Sequence, residues 1–220
     1  MTPAIDIRSL SLDDRDGQPL LRDFHVTLSP GERLVVAGPV EATSGLLRAV
    51  MGLDPVLSGT VRVLGEELGA LSRRRAEELL SRVGYSPRLG ALVSNLPLRD
   101  NLLLPLRYHR RLGAEEVPPE ALRAAGRFGL AELPLAIPPV ATVLLRRRVI
   151  LARATLLDPL VLVIDDPTEE LDPAAADEIA DRLAAAAGEL NAAVLAASND
   201  FRVGAALRAR TLLIHPRVQP

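Results

Sequence analysis

Residues 160–166 read Leu-Val-Leu-Val-Ile-Asp-Asp, five apolar side chains ending on two acids. So short and continuous an apolar run predicts a strand over Leu160–Ile164, covered on both faces as in a parallel sheet. Working outward, Arg33–Ala37 (RLVVA), Val83–Tyr85, Ala193–Ala197 (AVLAA) and Thr211–His215 predict companion strands. Ala4–Leu12, Phe24–Leu28 and Thr60–Leu64 predict three more, with a turn-rich stretch at Asp13–Pro19. Helical spacing covers Ser44–Met51, Leu71–Ser81, Leu144–Leu157, Ala174–Leu190 and Phe201–Arg208. Asp172-Pro173 offers the penultimate of these an N-cap and a first-turn proline. Prolines recur from Pro87 to Pro139, which predicts short helices inserted into the layered core. Strands alternating with helices predict an α/β fold with a mostly parallel sheet.

Composition narrows the chemistry. The chain has 220 residues and a formal net charge of −2, and all 26 of its basic side chains are arginine. With no lysine there is no Schiff base, no lysine general base and no phosphate-loop lysine. With no cysteine there is no disulfide, thiolate nucleophile or cysteine zinc site. The near-neutral charge argues against a nucleic-acid partner. No stretch of eighteen apolar residues occurs, and MTPAIDIRSL lacks a secretory signal pattern, so the expected place is the cytoplasm. The sequence ends soon after the last predicted strand, so no separate C-terminal regulatory domain is expected. Arg73–Arg75 and Arg146–Arg148 are read as solvated helix faces, His25 and His109 as surface or packing residues, and the leucines of Leu102–Leu106 as core or partner-facing packing.

Several long stretches resemble the nucleotide-binding subunit of ABC transporters. They are Pro30–Arg33 (PGER), LLRAVMGLDPVLSGTVRVLG (46–65), NLLLPLRYH (101–109), RRRVILARATLLDPLVLVIDDPTEELDP (146–173) and SNDFRVGAALRARTLLI (198–214). NLLLPLRYH is most similar to the lipid-trafficking subunits that serve MCE- and Mla-type permeases. The resemblance implies a P-loop NTPase-like parallel sheet with an N-terminal antiparallel β-portion and an inserted α-helical subdomain. It implies one domain over 1–220, with the core in 1–87 and 150–220 and the helical part in 88–149.

The motifs that touch nucleotide in that family depart from its pattern. The phosphate loop, G-x-x-x-x-G-K-[ST], wraps phosphates with backbone N–H groups and adds a lysine charge. Here the segment is Gly38-Pro39-Val40-Glu41-Ala42-Thr43-Ser44-Gly45: one glycine is in register, the loop is a residue short, and Glu41 brings a negative charge. Arg88 stands at the metal-contacting glutamine. Ala141-Thr142-Val143-Leu144-Leu145 replaces the glycine-rich signature that reads the partner's nucleotide. Asp165 matches the metal-binding aspartate, Asp166 stands where the family has its glutamate base, and Asn199 replaces the switch histidine. Leu10–Asp16 holds no aromatic to stack on adenine. Leu171-Asp172 does match the loop that contacts the partner subunit.

The resemblance and its departures together imply a catalytically degenerate subunit, a pseudo-ATPase, that serves a membrane transport complex, with lipid as the cargo class. Asp165, Asp166 and Asn199 would be vestigial catalytic residues; Gly38, Glu41, Thr43, Ser44 and Gly45 would form a vestigial phosphate loop. No cofactor is expected, ATP and Mg at reduced affinity being the alternative. The expected partners are a membrane permease and a second ABC subunit, the same or different, with the chain peripheral on the inner membrane face. Arg88, Leu98, Asn101 and Asp172 are the expected partner-facing residues, and the permease is expected in the groove around Arg88–Asn101. Two local expectations follow. Glu41 would fill the anion-binding end of the helix beginning near Ser44. Arg88 would pair with Asp165 or Asp166 in place of the metal. The rival readings are a weakly active ATPase and a soluble interaction module outside transport.

Overall fold

The computed structural model describes residues 2–89, 91–110, 113 and 116–215, with the side chains of His109 and Arg110 outside that description. The expectation for His109 therefore lies outside the described residues. The chain opens with β1 (Ile5–Asp13) and β2 (Pro19–Leu28), an antiparallel pair closed by a turn in which Asp14 accepts from the Asp16 and Gln18 amides. β4 (Ser58–Val63) and β5 (Glu66–Glu67) extend it to an antiparallel sheet of order β2-β1-β4-β5.

The second sheet is wholly parallel. It contains β3 (Arg33–Ala37), β6 (Val83–Ser86), β7 (Val161–Asp165), β8 (Ala193–Ala197) and β9 (Arg210–Leu213), in the order β6-β7-β8-β3-β9. All five residues of β7 and all five of β8 are buried, as their apolar runs require. Alternate residues along each strand serve opposite faces. Leu34, Val36, Val161 and Val163 join the antiparallel sheet and α1 (Val40–Val50) in one core. Val35, Leu162 and Ile164 join the helical layer in the other.

That layer contains α3 (Leu98–Arg110), α4 (Pro119–Arg127) and α5 (Val143–Ala154), all between β6 and β7, followed by α6 (Pro173–Glu189). α2 (Arg73–Leu80) precedes β6, and α7 (Phe201–Leu207) precedes β9. Caps were foreseeable: Asp172 accepts from the Ala175 amide at 3.0 Å with Pro173 in the first turn of α6, and Asp200 caps α7. Thr142 caps α5 by accepting from the Leu145 amide, so the segment at the signature position is a helix start. Among the described residues no helix is long and apolar enough to cross a membrane.

Two expectations about arginines divide here. Arg73–Arg75 are exposed and paired with Glu77, Glu78 and Glu66, a solvated face as expected. Arg146–Arg148 are not. Successive helix residues point about 100° apart, and these three reach separate partners. Arg146 donates to the Pro138 and Ala141 carbonyls, Arg148 pairs with Glu178, and Arg147 is only 6% exposed.

Candidate functional site

In open α/β sheets ligands bind beyond the carboxyl ends of the strands. The C-terminal ends of β3, β7 and β8 bring together Gly38, the pair Asp165 and Asp166, and the segment Ser198–Asn199. The Asp166 amide donates to the Ala197 carbonyl at 2.9 Å and the Ser198 amide to the Val36 carbonyl at 3.1 Å, which ties the three ends together.

The connection from β3 to α1 is only Gly38-Pro39. The helix was expected near Ser44; it begins at Val40, a full turn earlier, and the Thr43 amide already donates to the Pro39 carbonyl at 3.0 Å. Pro39 at the N-cap costs nothing, because no N–H is needed there. Thr43, Ser44 and Gly45 are thus buried helix residues, not loop residues. Gly38 has φ +146°, and a Cβ there would stand 2.3 Å from the Ile214 carbonyl oxygen. Its backbone is claimed on both sides by Asn199: the Gly38 amide donates to Oδ1 and the Asn199 Nδ2 donates to the Gly38 carbonyl, each at 2.9 Å.

Glu41 lies in the first turn of α1 but is exposed, and no side chain caps that helix. This overturns the expectation that Glu41 fills the anion end. With the helix starting a turn early, its side chain falls on the outer face.

Asp165 is 3% exposed. Burial pushes its carboxyl above the usual range; Ser44, Arg88 and Arg48 pull it back, and Glu169 adds to the rise. The Ser44 hydroxyl is near enough to act on Asp165 but is buried without a hydrogen bond of ordinary length. Burial likewise raises Asp166, helped by Glu169 and Asp165 and opposed by Arg88 and Arg147. Asp166 sits at φ +44°, a left-handed conformation that aspartate tolerates better than most residues.

The Arg88 expectation is corrected in its geometry. Arg88 grips Glu169, with Nε 2.7 Å from Oε2 and Nη2 in a still closer contact with Oε1. It hydrogen-bonds neither aspartate, and acts on both only through its field. Glu169 is a residue the sequence reading passed over. Its hydrogen bond from Arg88 holds its carboxyl below the usual range against the cost of burial. Arg147, expected on a solvated helix face, stands beside it. Its Nη2 leans on the Glu169 carbonyl at 3.5 Å, its Nη1 is buried without a partner, and the charges of Asp166, Glu169, Glu170 and Asp165 act on it through space. Burial pulls its guanidinium below the usual range, the first influence, while those acids oppose the fall.

The expected partner face is half dismantled. Leu98 and Asn101 are 0% exposed. Asn101 is a clamp: its Oδ1 accepts from the Val93 amide at 2.7 Å and its Nδ2 donates to the carbonyls of Val93, Leu96 and Pro97. A buried amide satisfied on all sides cannot face a partner. Leu89 and Val93 are the exposed apolar residues of that segment, while Asp172 is exposed as a cap.

Residues 21–169 match the family described as ABC transporter. The chain belongs to the ABC transporter family. Against the lipoprotein-releasing system ATP-binding protein LolD of Hydrogenovibrio crunogenus, this ABC-family chain is 27% identical over 202 residues, covering 90% of itself and 87% of that protein. Against the Nod factor export ATP-binding protein I of Sinorhizobium fredii it is 35% identical over 184 residues, covering 82% of itself. It spans about half, 51%, of that second relative's length. In fold it is similar to the dimeric bacterial ABC transporter cassette MJ0796, with a TM-score of 0.84, 21% identity, and coverage of 96% and 94% of the two chains. ABC membership accounts for the P-loop NTPase-like sheet and for the position of the acids at the end of β7.

Proposed function

We propose that this ABC-family chain is a catalytically degenerate subunit, a structural or regulatory component of a membrane transport complex. The observation that supports it most is the two-residue connection Gly38-Pro39, with α1 running on where a phosphate loop would stand. The residues present do not fit a nucleotide's phosphates. The Gly38 amide is committed to Asn199, Thr43 is inside the helix, and the basic side chain on α1 is Arg48, paired with Asp54. Among the described residues no group of three His, Cys, Asp or Glu is placed to hold a metal ion. In the proposal Arg88 and Arg147 take over the neutralising of Asp165 and Asp166.

The experiment is calorimetric titration of the purified chain with Mg-ATP, together with a thermal-shift assay. Flat heats and an unmoved melting point are expected. Micromolar binding, with magnesium-dependent turnover abolished by Asp166→Ala, would overturn the proposal. One observation favours that second reading: Ser44 and Asp165 remain side by side, and the Ser44 hydroxyl lacks a partner.

A transport partner is supported by relatives named as ATP-binding proteins of release, export and import systems. The permease in this proposal meets the segment at Leu89 and Val93, and a second ABC subunit meets Asp172. The complex then sits on the inner face of the membrane. Lipid-linked cargo rests on the lipoprotein-releasing relatives alone. Co-purification with a multi-span permease, lost in a Leu89→Asp/Val93→Asp variant, tests the seat.

A further inference from the structure

A cleft of about 290 Å³ opens over the outer edge of β6, between α2, α3 and the end of α5. Leu80, Pro105 and Leu157 supply apolar walls, and both tyrosines of the chain, Tyr85 and Tyr108, line it. Neither Gly38 nor Asp165 nor Asn199 does, so the cleft is separate from the strand-end site.

Arg153 lies in this cleft, half-buried. α5 carries four arginines, and the other three are provided for: Arg146 by two carbonyls, Arg147 by the field of those acids, Arg148 by Glu178. Arg153 makes no hydrogen bond or ion pair with any described residue. Burial alone acts on its guanidinium, pulling it below the usual range, and no neighbouring acid opposes the fall. Among the described residues the one carboxylate lining the cleft, Glu77, is engaged by Arg73 at 3.0 Å and by the Tyr108 hydroxyl at 3.3 Å. A cation withdrawn from water without a counter-charge is costly, and an anion that entered would remove that cost.

We infer that this cleft binds a monocarboxylate carried on a short aliphatic body, with Arg153 as its counter-charge. Arginine's planar fork matches a carboxylate in two parallel hydrogen bonds. The walls take the aliphatic part, and the volume is at the small end of ligand cavities, roughly 300–1,000 Å³. Among the described lining residues a single guanidinium faces apolar walls, which suits one negative charge and selects against dianions such as inorganic phosphate.

The test is calorimetric titration of the full chain with octanoate, octanol, acetate and inorganic phosphate. Octanoate is expected to bind once per chain, at least tenfold more tightly than any of the other three. Arg153→Gln is expected to lose that tenfold while melting at or above the parent temperature, because an uncompensated charge has been removed. Equal binding of octanol, equal binding of phosphate, no heat with octanoate, or an unaffected Arg153→Gln variant would each overturn the inference and leave Arg153 as a side chain reaching for solvent. None of these outcomes depends on whether the chain binds nucleotide.

Discussion

Replacing Arg147 by methionine weighs the internal counter-charge directly. The aliphatic stem is kept and the guanidinium removed. Two effects oppose each other. Losing a desolvated cation whose Nη1 has no partner relieves about 1–3 kcal/mol. Leaving the half-buried Asp166, beside the buried Asp165, without that counter-charge costs about 3–5 kcal/mol. Arg88 cannot make up the difference, since its hydrogen bonds are committed to Glu169. The expected balance is a loss of about 2 kcal/mol near neutral pH. The sign with pH is fixed by Asp166, on which Arg147 acts and which burial already raises above 3.8. A carboxyl raised in the folded state favours folding fully below its unfolded pKa, and that contribution is lost as pH rises through the folded value. Without Arg147 the rise is larger, so the deficit grows from near pH 4 toward neutrality. Urea unfolding of parent and variant across that window measures it. In the double variant Arg147→Met/Asp166→Asn, about 1–2 kcal/mol of the loss should return. A deficit under about 0.5 kcal/mol at neutral pH, or one equal at both ends of the window, would refute the reasoning.

Three further outcomes are expected. Asp165→Asn should unfold at a higher temperature near neutral pH, because burial is the leading influence on that carboxyl and an amide can meet the unpartnered Ser44 hydroxyl; a clear fall in melting temperature would mean the charge is needed. Gly38→Ala should cost about 2–4 kcal/mol in chemical denaturation, since its Cβ would meet the Ile214 carbonyl at 2.3 Å at a φ that L-residues avoid. Asn101→Ala should cost about 2–4 kcal/mol by stranding the backbone groups it satisfies, and should open the 93–97 segment to protease; an unchanged cleavage rate would count against the clamp.

The sheet was legible because its central strands have nowhere polar to put a side chain. VLVI (161–164) and AVLAA (193–197) are buried runs in adjacent inner strands of the parallel sheet, while Leu160, expected to begin the first, lies before β7 and is exposed. Asp172-Pro173 was legible because a cap is a local device. The start of α1 was not. Gly38-Pro39 reads as a break, yet a proline is at ease at a helix entrance, so the break and the start coincide. The misplaced aim of Glu41 follows from that single turn. Asn101 was placed on the partner face by the family resemblance; its burial depends on the carbonyls of Val93, Leu96 and Pro97 folding back over it. Glu169 was missed, and Arg147 was read as solvated, for a related reason. Which of four clustered acids and three successive arginines meet is decided by how α5 packs beside the end of β7, and neither segment carries that information alone.

The departures at the strand ends are coupled. A connection of two residues leaves no loop to present amides, so α1 starts early and its first amides join the helix instead. Counted from Gly38, the pattern G-x-x-x-x-G-K-[ST] puts its lysine at Ser44. Ser44 is buried within α1, so a lysine restored there would begin from the packed face of α1 with no phosphate cradle before it. The Gly38 amide would still be held by Asn199. At the other strand end, the field of Arg88 acts on both aspartates and that of Arg147 on Asp166, so an incoming cation would meet positive charge there. Lengthening the loop would leave those arginines in place, and removing the arginines would leave the loop short. A return to nucleotide chemistry therefore requires changes at both ends together, with the intermediate variants carrying either uncompensated acids or a lysine without a ligand.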